Sequence, residues 1–253
     1  MVRKLINHLK LIIFDVDGVL RDSGSAGLEG MRRGFKSLGL EFTFTKDECR
    51  LIRNTGSYND SKKCIALMYA VLKLKIKLSD LVKKEIEKEF DKVVSSLTEK
   101  DLETVEKIRK VYKEFFYSEE AGDFVEFFPD TKSALDKMGK RFKLAIWTNA
   151  SAENVKRDLS SLNLKRFSYI LGGEDTGMKK PSGDGILLIC KELGVKPTES
   201  IYVGDAVVDI RAAKEAGCIS VAICRSKLLE VFLKNEKPDF IFKNLSEIAE
   251  KFC

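Results

Sequence analysis

LIIFDVDGVL, residues 11–20, is the stretch on which the reading of this chain turns. Apolar residues run from Leu11 to Phe14 straight into two aspartates spaced one apart, and Gly18 follows. A short, continuous apolar run reads as a strand buried on both faces, as in a parallel sheet. Carboxylates at the mouth of such a strand need partners, because a buried charge without one is costly. The stretch therefore predicts a sheet whose first strand ends in a place built for two acids.

Two textures follow it. Residues 24–126 lack convincing strands and read as helices. "AGLEGMRRGFKSLG" (26–39) and "SKKCIALMYAVLKLKI" (61–76) are two of them. From Leu78, apolar residues at 82, 86, 90, 93, 94 and 97 predict one further helix by their spacing. Thr98 and Asp101 form a capping-box signature opening another, with Leu102, Val105, Ile108, Tyr112, Phe115 and Phe116 on its apolar face. From Pro129 the pattern changes. β-rich runs at 142–148, 168–172, 200–204, 220–224 and 239–242 alternate with helical patterns that stop at Gly139, Gly194 and Gly217. Such alternation implies βαβ units. The expected fold is α/β: a three-layer, Rossmann-like parallel sheet core (1–23 and 127–253) with an all-α domain (24–126) inserted after the first strand.

Composition narrows the function classes. The chain has 253 residues and a formal charge of +6, which favours a small anionic ligand. Its basic residues interleave with acids, as in "KKEIEKEFDK" (83–92), so no nucleic-acid face is expected. No apolar stretch approaches a membrane span, and the N-terminus MVRKLINHLK is too short and charged for a signal peptide. A cytoplasmic protein, monomer or homodimer, is expected. The six cysteines include no CxxC pair and His8 is the only histidine, which argues against zinc. Cys49 with Cys64, or Cys218 with Cys224, are the pairs a disulfide-tolerant thermophile could join, and the Lys- and Glu-rich, glutamine-free composition leans that way.

In open parallel sheets, ligands sit at the carboxyl ends of the strands. Asp15 and Asp17 follow the first strand, and Thr148 and Asn149 follow the second. Lys179 and Lys180 close the loop after the third, and Asp205 and Asp209 follow the fourth. Carboxylates converging in a dry site repel unless a cation joins them. Mg²⁺ takes one or two carboxylates plus water and phosphate oxygens. A hydroxyl and a lysine could hold the remaining phosphate oxygens. One aspartate could attack phosphorus, and its neighbour could move the proton. Singly, each piece has a plainer meaning. The acidic pair could be a turn, Thr148 a helix N-cap, Lys180 a surface lysine and Asp209 an exposed first-turn residue. Their order and placement carry the argument together.

At these residues the chain resembles the haloacid dehalogenase superfamily of aspartate-nucleophile phosphotransferases. "FDVDGVLRD" (14–22) with Ser23 is similar to its first motif, "LAIWTN" (144–149) to its second, "KKP" (179–181) to its third, and "YVGDAVVDIRAAKEAG" (202–217) to its fourth. "FFPDTKSALDKM" (127–138) resembles the family's re-entry helix. The resemblance implies Asp15 as nucleophile and magnesium ligand. It implies Asp17 as general acid and base, with its carbonyl on the metal. Thr148 and Lys180 would hold the phosphoryl group. Asp205 would bind Mg²⁺ directly, and Asp209 through water or by orienting Lys180. It implies a helical cap where the insert lies.

Within the family, Asp17 argues against dehalogenation, whose leaving group needs no proton. The pattern looks most like phosphoglycolate phosphatases, acting on a small phosphorylated metabolite. A sugar-phosphate mutase, a phosphonate hydrolase, a pyrophosphatase or nucleotidase, and a non-catalytic phosphate-binding relative stay open. The segment "LIRNTGSYNDSKKC" (51–64) brings Arg53, Asn54, Ser57 and Asn59 together around Gly56. Arg53 and Asn54, with Asn149, are the expected substrate contacts, and the segment reads equally as a solvated loop. Arg21 is either a contact for the substrate's anionic end or a surface residue. Gly24, Gly27 and Gly122 are possible hinges.

Overall fold

The computed structural model describes residues 8–83, 85–160, 162–225 and 227–253. Residues 1–7 of the N-terminal stretch, read above as no signal peptide, lie outside them. Six strands form one sheet: β1 (Leu11–Phe14), β4 (Lys143–Thr148), β5 (Phe167–Gly172), β6 (Ser200–Gly204), β7 (Ile219–Ile223) and β8 (Phe240–Phe242). Their order is β5-β4-β1-β6-β7-β8, and every pairing is parallel. The chain builds outward from β1 through β4 to β5, then crosses back and builds the other way from β6. The direction reverses beside β1, and the crevice at such a reversal is where ligands bind in open sheets.

Strand parity makes the layers. Ile12, Phe14, Leu144, Ile146, Ile201 and Val203 face one side with Leu135, Met138, Leu245, Ile248 and Phe252. Leu11, Ile13, Ala145, Trp147 and Tyr202 face the other with Ile186, Ile189, Ala212 and Ala213. Successive side chains alternate between faces, and both faces here meet helices. That is why these strands show no polar–apolar alternation. The expected three-layer α/β fold is the one found.

Two short strands lie outside this sheet. β2 (Arg21–Asp22) and β3 (Glu126–Phe127) pair antiparallel, Arg21 opposite Phe127. The chain divides into Met1–Asp22 with Glu126–Cys253, and Ser23–Val125. Thr131 Oγ1 donates to the Leu20 carbonyl at 2.6 Å, and the Asp130 carboxylate accepts from Leu245 N–H and Ser246 N–H. The returning chain is thus bound to both the first turn and the start of the last helix of its own unit.

The unit Ser23–Val125 contains no strand among its described residues. Helix Glu99–Phe116 opens on the expected capping box, Thr98 Oγ1 accepting from Asp101 N–H while Asp101 accepts from Thr98 N–H. Two expectations fail there. Leu102 is among the exposed large apolar residues, and the buried face runs through Asp101, Val105, Ile108, Tyr112 and Phe115. Asp101 can be buried because Lys73 and Tyr69 also donate to it. The helix expected from Leu78 is two, Leu78–Leu81 and Ile86–Val94. Leu81 and Ile86 are both buried and five residues apart, a spacing that one continuous helix would turn to different sides. Gly24 and Gly27 lie within the helix Gly24–Lys36, and Gly122 in a short 3-10 turn. All six cysteines are free thiols. Burial pushes the Cys49 thiol up to about 12.

Helix Gly24–Lys36 meets Glu99–Phe116 through Gly30 and Gly34. A Cβ on Gly34 would stand 2.7 Å from the Ile108 carbonyl oxygen. Alanine inside a helix normally gains about 1 kcal/mol over glycine. Here the sign should invert: Gly34→Ala is expected to lower the melting temperature, and a rise would refute the close packing. Thr98→Ala should cost about 1 kcal/mol in denaturant unfolding.

Candidate active site

β1, β4 and β6 are neighbours, so their carboxyl ends deliver Asp15, Thr148 and Asp205 to one edge of the sheet. Asp15 N–H extends the pairing by donating to the Val203 carbonyl at 2.9 Å. Oxygens of Asp15, Asp205 and Asp209 all lie within 4.8 Å of one another. Lys180 enters from the loop after β5. Its Nζ is 2.9 Å from Asp15 Oδ1 and 2.7 Å from Asp209 Oδ1. It also lies 5.7 Å from the Trp147 ring centre and 5.5 Å from that of Tyr202. The plainer alternatives for these residues fall away. Lys180 is buried rather than a surface lysine, and Asp209, in the first turn of helix Val207–Ala216, is fully buried.

Asp209 is saturated by donors. Its Oδ1 accepts from Lys180 Nζ and from the Tyr202 hydroxyl at 3.2 Å. Its Oδ2 accepts from Asp205 N–H at 3.1 Å and Ala206 N–H at 2.9 Å. A carboxylate offers about four acceptor positions, and the protein fills them. Asp209 therefore fixes Lys180 and the backbone that carries Asp205.

The charge balance is unequal. One lysine faces several acids, and burial is the largest influence on Asp15. Against the attraction of Lys180, burial and the negative charge of Asp209 push the Asp15 carboxyl up to about 7. Lys180 is held above its ordinary value: burial opposes its charge, but the adjacent Asp15 and Asp209 outweigh that.

Asp17 sits in a tight turn. Leu20 and Arg21 N–H both donate to the Val16 carbonyl, and Gly18 N–H donates to the Arg21 carbonyl at 2.7 Å. Gly18 has φ +80°, and a Cβ there would collide with the Asp205 carboxylate. Both the backbone and the neighbouring acid therefore require glycine. Arg21 is not the surface residue that one reading of the sequence allowed. It is buried, and its Nε donates to Asp17 Oδ1 at 2.8 Å. The burial follows from β2, whose pairing with β3 turns Arg21 inward.

Thr148 is buried at the end of β4, and its Oγ1 accepts from Ala150 N–H at 3.3 Å. The N-cap of the next helix, Ala152–Asp158, is Ser151 instead. Asn149 Oδ1 accepts from Lys180 N–H at 3.0 Å, so it anchors the lysine loop. Arg53 and Asn54 belong to the other unit. Arg53 ends the helix Lys46–Arg53, with Nη1 3.3 Å from the Tyr112 hydroxyl, and Asn54 is its C-cap. Ser57 N–H donates to Glu87, and Ser57 Oγ accepts from Lys63. Sequence reasoning missed Tyr202, a hydroxyl inside an apolar strand, and Arg225. The Arg225 guanidinium lies 3.6 Å over the Phe128 ring and donates to the Val19 carbonyl at 3.3 Å. Tyr202 could have been suspected from the strand alone, because a buried phenol needs a partner.

A family model described as haloacid dehalogenase-like hydrolase matches residues 59–223. The phosphoglycolate phosphatase of Shigella boydii is 34% identical over 154 residues, 58% of this chain and 60% of that protein. The match thus spans about three fifths of that relative's length. The phosphoglycolate phosphatase of Salmonella typhi is 28% identical over 249 residues, 96% of this chain and 92% of the other. A haloacid dehalogenase-like family hydrolase from Streptococcus pneumoniae has a TM-score of 0.65 at 21% identity, covering 98% of this chain and 100% of that one; at that identity the likeness speaks for the fold. The family match begins after Asp15 and Asp17, and the structure joins these to it through the pairing of β1 with β4 and β6 and through Lys180. Taking in well over half of the sequence, the match shows that the chain belongs to the haloacid dehalogenase-like hydrolase family.

Proposed function

We propose that this chain is a magnesium-dependent phosphatase that hydrolyses a small phosphomonoester through an aspartyl-phosphate on Asp15. The observation that carries the reading is the Lys180 ammonium, fixed between Asp15 and Asp209 in a buried setting beside Asp205. 2-Phosphoglycolate is the first ester to try, since the Shigella and Salmonella relatives bear that name.

The donor set fits a small divalent cation. Asp15 and Asp205 offer hard oxygens close together, and the negative charge in excess of Lys180 calls for a cation. Asp15, Asp205 and the main-chain carbonyl of Asp17 are the groups that would hold it. Asp209 would contribute through Lys180, since its own oxygens are engaged. When bound, Mg²⁺ supplies positive charge to the phosphate oxygens and keeps Asp15 ionised at neutral pH.

The protein's groups account for the rest. The Asp15 carboxylate attacks phosphorus as the ester P–O bond breaks, and Asp17 gives its proton to the departing oxygen. Asp17, now a carboxylate, takes a proton from water as the water oxygen attacks phosphorus. The Asp15–phosphorus bond breaks and inorganic phosphate leaves. Lys180 Nζ and the Thr148 hydroxyl hold the phosphoryl oxygens as their charge grows. Substrate choice falls to residues outside this cluster, and Arg53 and Asn54 are the first to vary.

Phosphate release from a panel of phosphomonoesters tests the reading. Wild type should release phosphate with Mg²⁺ and stop in EDTA, and Asp15→Asn should be slower by about 10³-fold or more. Release that ignores EDTA would remove the metal, and a folded, active Asp15→Asn would remove the nucleophile. No release from any ester would move the weight to a mutase.

The elevated Asp15 carboxyl gives a second check. In EDTA at pH 8, above its value of about 7, wild type pays for an ionised Asp15 that asparagine avoids. At pH 5 the fold keeps Asp15 neutral while the unfolded chain still ionises it, near its ordinary value of about 3.9, so only part of that cost is relieved. Asp15→Asn should therefore melt higher by roughly 2–4 °C at pH 8, with the gap narrowing at pH 5. Equal melting at both values would show that the buried charge is already compensated.

A further inference from the structure

Arg21 has no place in the mechanism above, yet it is one of few buried charges among the described residues. Burying a guanidinium costs several kcal/mol unless it is well paired, and an apolar residue of similar size is often neutral or better for stability. A buried arginine on a two-residue strand therefore points to what it holds.

What it holds is Asp17. Arg21 Nε donates to Asp17 Oδ1 at 2.8 Å, and the two side chains are 4% and 33% exposed. The asymmetry matters. Asp17 lies on a turn with a third of its side chain in contact with water, so by itself it would sample several rotamers. Arg21 is the immobile partner. Its backbone pairs with Phe127 across β2 and β3, its carbonyl accepts from Gly18 N–H, and its N–H donates to the Val16 carbonyl. The same turn is held from outside by Arg225, which donates to the Val19 carbonyl while its guanidinium stacks on Phe128.

Resting on the phosphatase reading, we infer that Arg21 is a positioning residue for proton transfer: it fixes the orientation of the Asp17 carboxyl toward the departing ester oxygen. Proton transfer by a positioned side chain contributes about 10²–10⁴-fold, and a misplacement of about 1 Å can cost about 10²-fold. The benefit depends on the alcohol. A leaving group that departs readily as its anion has little need of Asp17, whereas one of high pKa depends on it.

The test compares kcat/KM for 4-nitrophenyl phosphate and phenyl phosphate, with Mg²⁺, in wild type, Arg21→Met, Arg21→Lys and Asp17→Asn. kcat/KM ends with departure of the phenol, so hydrolysis of the phosphoenzyme does not enter. Phenol, with a pKa near 10 like tyrosine, needs the proton; 4-nitrophenol is far more acidic. Asp17→Asn sets the largest split between the esters. Arg21→Met should lower kcat/KM for phenyl phosphate by about 10–100-fold and leave 4-nitrophenyl phosphate within about threefold. Arg21→Lys, which keeps the charge but loses the planar fork, should fall between wild type and Arg21→Met.

Activity toward 4-nitrophenyl phosphate also reports folding. A parallel loss on both esters, or no loss on phenyl phosphate, overturns the assignment. Should Arg21→Met fail to fold, Arg21→Lys decides: a loss confined to phenyl phosphate supports the inference, and a parallel change or none overturns it. A wild type that releases phosphate neither from these esters nor from the panel above sinks the phosphatase reading and this inference with it, whereas an active wild type with parallel losses sinks this inference alone.

Discussion

The contact on which the rest depends is the Lys180 ammonium between Asp15 and Asp209. It joins the end of β1, the loop after β5 and the helix after β6, three places that meet only because the sheet reverses its direction of growth beside β1. Lysine is a compact charge on a flexible stem, so position has to come from its surroundings. Asp209, Tyr202, the Trp147 ring and the Asn149 anchor on its backbone supply it. The apolar strands contribute indirectly: with both faces covered, their ends cannot drift.

Around that contact, roles that look alike in sequence separate. Asp15, Asp205 and Asp209 are all acids at strand ends. Asp209 is filled by protein donors and works as a brace, while Asp15 is left with more negative charge around it than one lysine offsets. Asp17, two residues from Asp15, is held by an arginine. Four identical functional groups thus have four environments.

Much of this was legible in the sequence. The parallel sheet followed from apolar runs that lack alternation, and the cluster from the residues after each run. The capping box at Thr98 and Asp101 is local, and local signals survive folding. The misses share a cause. Arg21, Leu102 and the break between Leu81 and Ile86 are all settled by what packs against a residue from elsewhere in the chain. Periodicity cannot distinguish Leu102 from Asp101 until Lys73 and Tyr69 arrive to hold the aspartate. Nor does any spacing announce β2 and β3, two residues each, whose pairing takes Arg21 out of solvent.

That small pairing has a consequence for how the chain folds. β1 and β4 must find each other across the whole insert, and closing a loop of about a hundred residues costs about 4 kcal/mol in chain entropy. β2 and β3 hold the two ends of the insert roughly one strand spacing, ~4.8 Å, apart. An insert that folds on its own brings those ends together before the sheet forms. The closure entropy is then met within the insert by its own helix packing, and the central pairing of the sheet becomes a contact between near neighbours. A long insertion after the first strand thus need not slow or weaken the core, provided that its two ends finish side by side.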